Sequence, residues 1–213
     1  MKPYDTEQDK KEQVREMFDR IAPAYDRLNH TLSFQIDKLW RRHVVRIVRR
    51  MQPRRILDVA TGTGDLALAM ARRMRGVQVL GVDLSENMLA EARRKATACG
   101  LDERVVLSLG DAERLEVADA SVDVVTVAFG VRNFGDLGAG LREIARVLKP
   151  GGKVVILEFS TPRNPLFRRV YGLYSHRLLP AIGGMISKDR KAYEDCRARS
   201  QSLGIAQIYT GEK

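Results

Sequence analysis

The 213-residue sequence contains only two cysteines, Cys99 and Cys196, and three histidines. Two cysteines cannot build a disulfide framework or a multi-cysteine metal site, and their scarcity is typical of a reducing cytosol. His30, His43 and His176 lack the spacing of metal ligands, so the sequence predicts no metal site.

Long apolar runs are absent as well. No stretch reaches the roughly 20 apolar residues of a transmembrane helix, and the polar residues 1–20 lack the apolar core of a signal peptide. Internal repeats and low-complexity segments are not visible either. We therefore expect a cytoplasmic protein with one core, which 213 residues at 44% hydrophobic content can supply.

Acidic residues are outnumbered, 27 against 37 lysines and arginines, so the formal net charge is +10. Segment 38–55 holds eight basic residues and no acidic one, and segment 163–213 holds ten basic residues and four acidic ones. Such clusters fit RNA contact, attraction to an anionic membrane surface, or simple solubility. The helix predicted at 37–51 carries five arginines beside an apolar stripe, which either lies on a membrane or, more often, packs on the protein's own core.

An apolar strand pattern at 54–60 runs directly into a glycine-rich turn, and a helical pattern follows at once. Such strand–turn–helix units open a nucleotide-sized site at the carboxyl end of the first strand of an α/β sheet. Gly62 and Gly64 permit positive φ and a close approach of the backbone to a ligand. Together with Ala67 they also fit a dinucleotide fingerprint, so the turn alone does not identify the cofactor.

Beyond this turn, strand and helix patterns alternate, and the β-branched runs at 77–82 and 122–127 are typical of buried parallel strands. This predicts a doubly wound, mostly parallel α/β sheet with helices on both faces. Residues 1–52 are predicted to form a helical lid and 53–213 a single catalytic unit. The predicted helices are 8–29 (interrupted at Pro23), 37–51, 65–75, 86–99, 136–148 and, with breaks, 162–199; the predicted strands are 54–60, 77–83, 104–109, 122–128, 153–159 and 204–209.

Two carboxylates follow later strands. Asp83 ends the second predicted strand, where it can accept both hydroxyls of a ribose or cap a helix, and Ser85 is the better capping residue. Asp111 follows the third strand, where it can accept a hydrogen bond from an adenine amino group or simply shape a turn. The segment 149–152, Lys-Pro-Gly-Gly, ends a helix before the fifth strand.

Asp58, the glycine turn, the two later carboxylates and the segment 148–152 together resemble the class I S-adenosylmethionine-dependent methyltransferases, a Rossmann-like fold with a seven-stranded type of sheet. In that family the first motif usually carries one more glycine, at the position of Ala60. The resemblance implies S-adenosylmethionine as the cofactor. Hydride transfer from a nicotinamide cofactor is the second interpretation, although no acid–base partner of a dehydrogenase is evident.

Further segments narrow this resemblance. Residues 18–29 (FDRIAPAYDRLN), 39–42 (LWRR), 129–134 (FGVRNF) and 157–162 (LEFSTP) are similar, in order, to motifs of the ubiquinone/menaquinone biosynthesis C-methyltransferases. The resemblance implies C-methylation of a polyprenyl quinol ring, either demethylmenaquinol or a ubiquinol precursor. The residues it predicts to bind the cofactor are Tyr25, Asp58, Gly62, Thr63, Gly64, Asp83, Asp111 and Ala112.

The predicted catalytic residues are Arg132 and Asn133, which lie in the loop after the fourth strand. We expect Arg132 to stabilise a quinolate oxygen and Asn133 to orient it, the alternative for Arg132 being a surface ion pair. Tyr25 and Asp26 are expected in the lid, with Tyr25 beside the sulfonium or in the core next to Pro23. A cofactor contact also falls on Ala128, where many relatives carry serine.

A polyprenyl quinol lies in the bilayer, so the basic clusters favour weak peripheral association with an anionic membrane surface at its cytoplasmic face. No nucleic-acid partner is expected, and a homodimer is left open. Methylation of another acceptor such as RNA is the alternative within the enzyme class. A binding module without activity is the alternative outside it.

The connection before the last strand is short. Relatives have a further helix and strand between the region of Asp195 and the final strand, whereas here residues 197–202 lead almost directly into it. A crossover with a helix needs at least about 10–12 residues, so no sixth strand fits. Either this strand is lost or the sequence joins residues across an omitted segment, and the exposed edge of a lone last strand favours the second.

Overall fold

The computed structural model describes residues 9–33, 35–159 and 206–213. The helices are α1 (Lys10–Leu32), α2 (Ile36–Arg50), α3 (Asp65–Arg73), α4 (Glu86–Ala98) and α5 (Leu137–Val147), with a single 3-10 turn at Val131–Asn133. The strands are β1 (Arg55–Val59), β2 (Gln78–Asp83), β3 (Val105–Leu109), β4 (Val122–Ala128), β5 (Leu148–Phe159) and β6 (Ala206–Glu212). The helical segments predicted within 162–199 and the question of a sixth strand before the last one lie outside the described residues.

The described strands form one sheet in the order β3-β2-β1-β4-β5-β6. The first five are parallel, and β6 pairs with β5 in the antiparallel direction. The strand order reverses between β1 and β4, and ligands of open α/β sheets bind at the carboxyl ends of the strands at this switch point. The predicted doubly wound, mostly parallel sheet is confirmed.

Alternation along the strands divides the core between two faces. Ile56 of β1 and Val124 of β4 belong to a cluster with α2, α3 and α4, whereas Leu57 of β1 and Val125 of β4 belong to a cluster with α5. Strands buried on both faces explain the continuous apolar runs in the sequence. Helices therefore cover both sides, and the loops at the carboxyl ends of the strands are left for the site.

Helix α1 continues through Pro23, so the predicted interruption is wrong. Proline has no N–H, and the carbonyl four residues earlier, that of Asp19, loses its helical partner. This carbonyl instead accepts a hydrogen bond from the Asn87 amide at 3.1 Å, and the Asp19 carboxylate accepts one from the Ser85 hydroxyl at 2.6 Å. The contacts with the start of α4 therefore satisfy the backbone group that the proline leaves free.

Helix α2 packs its apolar stripe on the sheet: Val44, Val45 and Val48 are each at most 2% exposed. This is the packing that amphipathic helices of this kind most often adopt, and it makes α2 part of the main core. The opposite side of α2 is exposed and includes Ile36 and Leu39. No helix in the described residues is both long and apolar enough to cross a membrane.

Candidate cofactor site

A cleft lies between α1 and the carboxyl ends of the central strands. Among the predicted site residues, its lining includes Tyr25, Gly62, Asp83, Asp111, Ala112 and Asn133. Asp58, Thr63, Gly64 and Arg132 are not in the lining. The structure thus brings six predicted residues together in one cleft, although they are spread over more than 100 positions of the sequence. The other four predicted residues lie outside the lining and make other contacts nearby.

The glycine turn leaves space on the side of the cleft. Gly62 has φ +56°, and a Cβ placed there would meet nothing within 4 Å. Gly64 precedes α3 with φ +76°, and a Cβ there would lie 3.0 Å from the Cβ of Ala92 in α4. Gly64 is therefore required by packing, whereas the open side of Gly62 gives a ligand access to the backbone.

Asp83 connects this turn to the end of β2. One carboxylate oxygen accepts the Gly62 N–H at 2.7 Å, and the other accepts the Ser85 N–H at 2.9 Å. Burial raises the pKa of Asp83, while these N–H donors act in the opposite direction. Ser85 caps α4 through the Met88 N–H, as predicted, so Asp83 is not needed for this cap.

Asp111 is held by helix α1. The Lys11 ammonium of α1 lies 2.6 Å from an Asp111 oxygen and 3.0 Å from a Glu113 oxygen, and the Asp111 hydrogen bond raises the pKa of Lys11. The neighbouring Lys10 donates to the backbone carbonyls of Arg132 and Phe134. Two consecutive lysines thus join α1 to both walls of the cleft, and the sequence contained no local signal for either contact.

Tyr25 occupies the part of the lid that faces the cleft. Its ring packs edge-on against Phe18, with 6.0 Å between centroids, and both side chains are in the lining. Burial raises the pKa of the Tyr25 phenol above its ordinary value of 10.0, so the group is neutral at physiological pH. An apolar lid with a neutral phenol suits a site that excludes water.

Thr63 and Asp26 form a polar network beside the cleft. The Thr63 hydroxyl donates to Asp26, and the Lys95 ammonium lies 2.7 Å from an Asp26 oxygen and 2.6 Å from an Asp65 oxygen. These contacts join α1, the glycine turn, α3 and α4. In this arrangement Thr63 fixes the lid to the turn.

His30, Asp37 and Asp65 have ligand atoms close enough together for a metal ion. Their surroundings already balance the charge, because the Arg41 guanidinium hydrogen-bonds to Asp37 and lies 3.7 Å from an Asp65 oxygen. His30 also contacts Asp37 at 2.8 Å. This cluster is complete as an ion-pair network between α1, α2 and α3.

Asp58 is 2% exposed and lies beneath the turn. It accepts hydrogen bonds from the hydroxyls of Thr61, at 2.7 Å, and Thr126. Burial raises the pKa of Asp58 from an ordinary value of 3.8 to about 6. Asp58 therefore fixes the turn to β1 and β4 in this structure, one layer below the cleft lining.

Ala60 occupies the position where the resembling family usually has glycine, and its φ is +53°. Phe129, at the end of β4, also has positive φ, +59°, and packs against Trp40 with 6.1 Å between ring centroids. A Cβ on Gly130 would lie 2.5 Å from the Cβ of Ala60, so the Ala60 methyl group depends on glycine at 130. Left-handed backbone at non-glycine residues is strained, and here it occurs on both sides of the switch point.

We predict that Ala60→Gly raises the free energy of unfolding by up to about 1 kcal/mol, because it removes the strain of a left-handed alanine. Urea denaturation measures this change. The matched control is Ala90→Gly at an exposed position within α4, which should lower the free energy of unfolding by about 1 kcal/mol. Equal losses in the two variants would show that Ala60 is unstrained.

Arg132 and Asn133 lie in the 3-10 turn after β4. The Arg132 guanidinium pairs with Glu158 of β5, and its backbone N–H lies 3.4 Å from the same carboxylate. Arg132 thus forms the ion pair that was its alternative interpretation, and its catalytic role stays a prediction. Asn133 lies in the cleft lining, and its catalytic role also stays a prediction.

Comparison with known proteins gives a consistent set of relatives. The model of the ubiE/COQ5 methyltransferase family matches residues 6–200. The ubiquinone/menaquinone biosynthesis C-methyltransferase UbiE of Geobacter sulfurreducens is 44% identical over 230 residues, which cover 96% of this chain and 90% of that protein. The demethylmenaquinone methyltransferase of Bacteroides fragilis is 46% identical over 91% of this chain and 79% of its own length, and that of Thermus thermophilus is 50% identical over 83% and 80%.

The alignment with the Geobacter protein is longer than the present chain, 230 against 213 residues. That protein therefore contains residues inside the aligned region without a counterpart here. Among solved structures, the [4+2]-cyclase SpnF is similar with a TM-score of 0.61 and 27% identity over 72% of this chain and 62% of its own. A Methanococcus maripaludis protein described as a putative S-adenosylmethionine-dependent methyltransferase has the same fold, with a TM-score of 0.61 and 24% identity over 80% and 77%.

Proposed function

Because the chain belongs to the ubiE/COQ5 methyltransferase family, we propose that it transfers the methyl group of S-adenosylmethionine to a ring carbon of a demethylated polyprenyl quinol. The relatives named demethylmenaquinone methyltransferase favour demethylmenaquinol as the substrate. The observation that carries the proposal is the cleft at the switch point, in which Asp83, Asp111 and the open side of Gly62 face one space under the lid.

The residues present fit this cofactor. Two carboxylates at neighbouring strand ends match its hydrogen-bond donors: Asp83 can accept the ribose hydroxyls and Asp111 the adenine amino group. Ala128, also in the lining, provides no hydroxyl, so any contact there is apolar. When bound, the cofactor supplies an electrophilic methyl group.

The chain's own contribution is positioning and exclusion of water. A water molecule takes a hydroxyl proton from the quinol, which concentrates negative charge on the ring carbon; this carbon takes the methyl group and then releases its own proton to restore the aromatic ring. In this proposal the Asn133 amide, in the cleft lining, donates a hydrogen bond to the phenolate oxygen. The ion pair with Glu158 holds the Arg132 guanidinium at the same loop. Phe18 and Tyr25 close the cleft, and good alignment alone can lower a barrier by about 7–11 kcal/mol.

The proposed function is tested with S-adenosylmethionine labelled in its methyl group. The expected result is label in demethylmenaquinol, and the ubiquinol precursor and RNA are offered in parallel as alternative acceptors. Label in RNA alone would show that RNA is the acceptor. If no acceptor is labelled although the cofactor binds, the protein is a binding module without methyltransferase activity.

We predict that Asn133→Ala lowers kcat about fivefold, the effect of losing one hydrogen bond of roughly 1 kcal/mol in the transition state. Asn133→Asp should lower it further, because a carboxylate next to the quinolate oxygen repels it. Steady-state kinetics with demethylmenaquinol measure both. If the aspartate variant is as active as the wild type, Asn133 does not face the developing charge.

We also propose that the protein associates weakly and reversibly with anionic membranes, since its substrate carries a polyprenyl tail. The net charge of +10 supports this association, and a cytoplasmic protein at the inner face of the membrane would meet both the cofactor and the quinol.

A further inference from the structure

A second concave surface lies outside the cofactor cleft, between α2 and α3. Four exposed cations surround it: Lys38 and Arg42 from α2, and Arg72 and Arg73 from α3. Among the residues that the structure describes, none of the four forms an ion pair with a carboxylate. Lys38 donates instead to the Gln35 side chain at 2.8 Å, and Arg72 to the Cys99 sulfur.

The acidic group in this groove, Asp65, is already neutralised by two cations, Lys95 and Arg41. Lys95 lies 2.6 Å from one Asp65 oxygen, and Arg41 lies 3.7 Å from the other. Within the described part of the chain, the cations at the rim are therefore exposed and have no carboxylate partner. Charges left unpaired in this way attract an anion with several oxygen atoms, such as a phosphate group.

The exposed side of α2 continues this surface with apolar groups. Leu39 is 57% exposed and Ile36 39%. At 3.6 residues per turn, Leu39 shares its side of the helix with Arg42, His43 and Arg46. An apolar side chain in the middle of a basic helix face is typical of helices that lie in a membrane interface.

The same helix connects this surface with the cofactor cleft. Trp40 and Arg41, adjacent to Leu39 in sequence, pack on the ring of Phe129, with distances of 6.1 Å and 5.9 Å to its centroid. Phe129 is part of the cleft lining. Helix α2 therefore contacts the cleft lining on one side and borders the basic surface on another.

We propose that this surface, Ile36, Lys38, Leu39, Arg42, Arg72 and Arg73, is where the protein docks on a bilayer, with phospholipid phosphates in the groove and Leu39 among the headgroups. The inference rests on the proposed membrane association and specifies its location. Single-stranded RNA binds through exposed aromatic side chains as well as basic ones, and the described part of this surface has no exposed aromatic side chain. The bilayer is therefore the partner that fits both the charge and the apolar groups.

The test is cosedimentation of the full chain with phosphatidylcholine vesicles with and without phosphatidylglycerol. Arg42→Gln/Arg73→Gln should bind anionic vesicles about thirtyfold less tightly, or about fivefold for each charge. The control Arg54→Gln/Arg55→Gln removes the same charge at the amino end of β1, opposite the cleft, and should bind almost as the wild type does. Leu39→Ser should weaken binding about fivefold, and Leu137→Ser, at an exposed position of α5, should not.

Activity on a short-tailed quinol in detergent should be unchanged in all four variants, which separates the docking surface from the methyl transfer. If the wild-type protein methylates the quinol but does not cosediment with anionic vesicles, the membrane association itself is overturned. Equal losses in the two double variants would overturn the location, because charge alone would then explain binding. Release of the wild type by inorganic phosphate but not by chloride at equal ionic strength would make the groove a site for free phosphate. Tighter binding of RNA than of vesicles, lost in Arg42→Gln/Arg73→Gln, would make RNA the partner.

Discussion

Asp83→Ala is expected to weaken the binding of S-adenosylmethionine about 100-fold. We propose that the carboxylate accepts the two ribose hydroxyls, and hydrogen bonds to charged groups contribute about 1.5–3 kcal/mol each. Losing both should therefore raise the dissociation constant about 100-fold. The substitution also leaves the Gly62 N–H without its acceptor at 2.7 Å, which loosens the turn. Isothermal titration calorimetry with the cofactor measures the loss directly.

Two further variants separate recognition from folding. Asp102→Ala, at an exposed position after α4, removes a carboxylate far from the cleft and should keep the wild-type affinity. Asp83→Glu keeps the charge but displaces it by one methylene group, so its affinity should lie between those of wild type and Asp83→Ala. If Asp83→Ala folds and its dissociation constant for the cofactor stays within about threefold of that of the wild type, Asp83 only stabilises the turn, and other residues bind the ribose.

The sequence patterns were sufficient for the order and type of the elements in the described chain. The β-branched runs and the helical periodicity report burial on two faces of strands and one face of helices, and both depend on local sequence alone. Ser85 illustrates the same point, because a helix cap is a contact over three residues. Such features need no knowledge of the rest of the fold.

Contacts between distant segments could not be predicted in this way. Local sequence predicts that Pro23 interrupts α1. The helix continues because the Asp19 carbonyl, which Pro23 leaves without a helical partner, accepts a hydrogen bond from Asn87, 68 residues later. Lys10 meets the carbonyl of Phe134, 124 residues away, and Lys11 meets Asp111. Nothing in the local pattern distinguishes these lysines from the other basic residues of a basic chain.

The candidate site was predictable as a set of motifs but not as a set of roles. Asp58 lies on the strand that leads to the turn and Asp83 at the end of the neighbouring strand, but only Asp83 is in the cleft lining, while Asp58 is buried beneath the turn. Ala60 stood out as a departure from the family pattern, and its positive φ gives the physical reason for the usual glycine. Arg132 was assigned to the substrate, and the structure pairs it with Glu158 across β4 and β5.

The buried carboxyl of Asp58 should make stability fall as the pH rises. Its pKa in the folded state is about 6 against an ordinary 3.8, because burial disfavours the charged form. The folded state therefore binds this proton more tightly than the unfolded chain, and the free energy of unfolding decreases between about pH 4 and pH 6. The two pKa values imply a loss of about 3 kcal/mol that persists at neutral pH.

Asp58→Asn should therefore be more stable than the wild type at pH 7, by about 2–3 kcal/mol, and nearly equal to it at pH 4. The amide is neutral at both pH values, and a hydroxyl of Thr61 or Thr126 can rotate to accept its N–H. Urea denaturation of both proteins across this pH range gives the difference in the free energy of unfolding, which isolates Asp58 from the other titrating groups.

Asp123→Asn supplies a control of opposite sign. Burial alone would raise the pKa of Asp123, but Lys149 at 2.6 Å and the N–H groups of Arg54 and Arg55 hold it below its ordinary value. Its carboxylate stabilises the fold above the unfolded pKa, so Asp123→Asn should be less stable than wild type at pH 7, and the gap should close as the pH falls. A difference between wild type and Asp58→Asn that stays constant from pH 4 to pH 7 would mean that Asp58 keeps an ordinary pKa in the folded protein, provided that the Asp123→Asn difference stays near its full value over this range and shrinks only below about pH 4. A charge beneath the turn would then cost no stability.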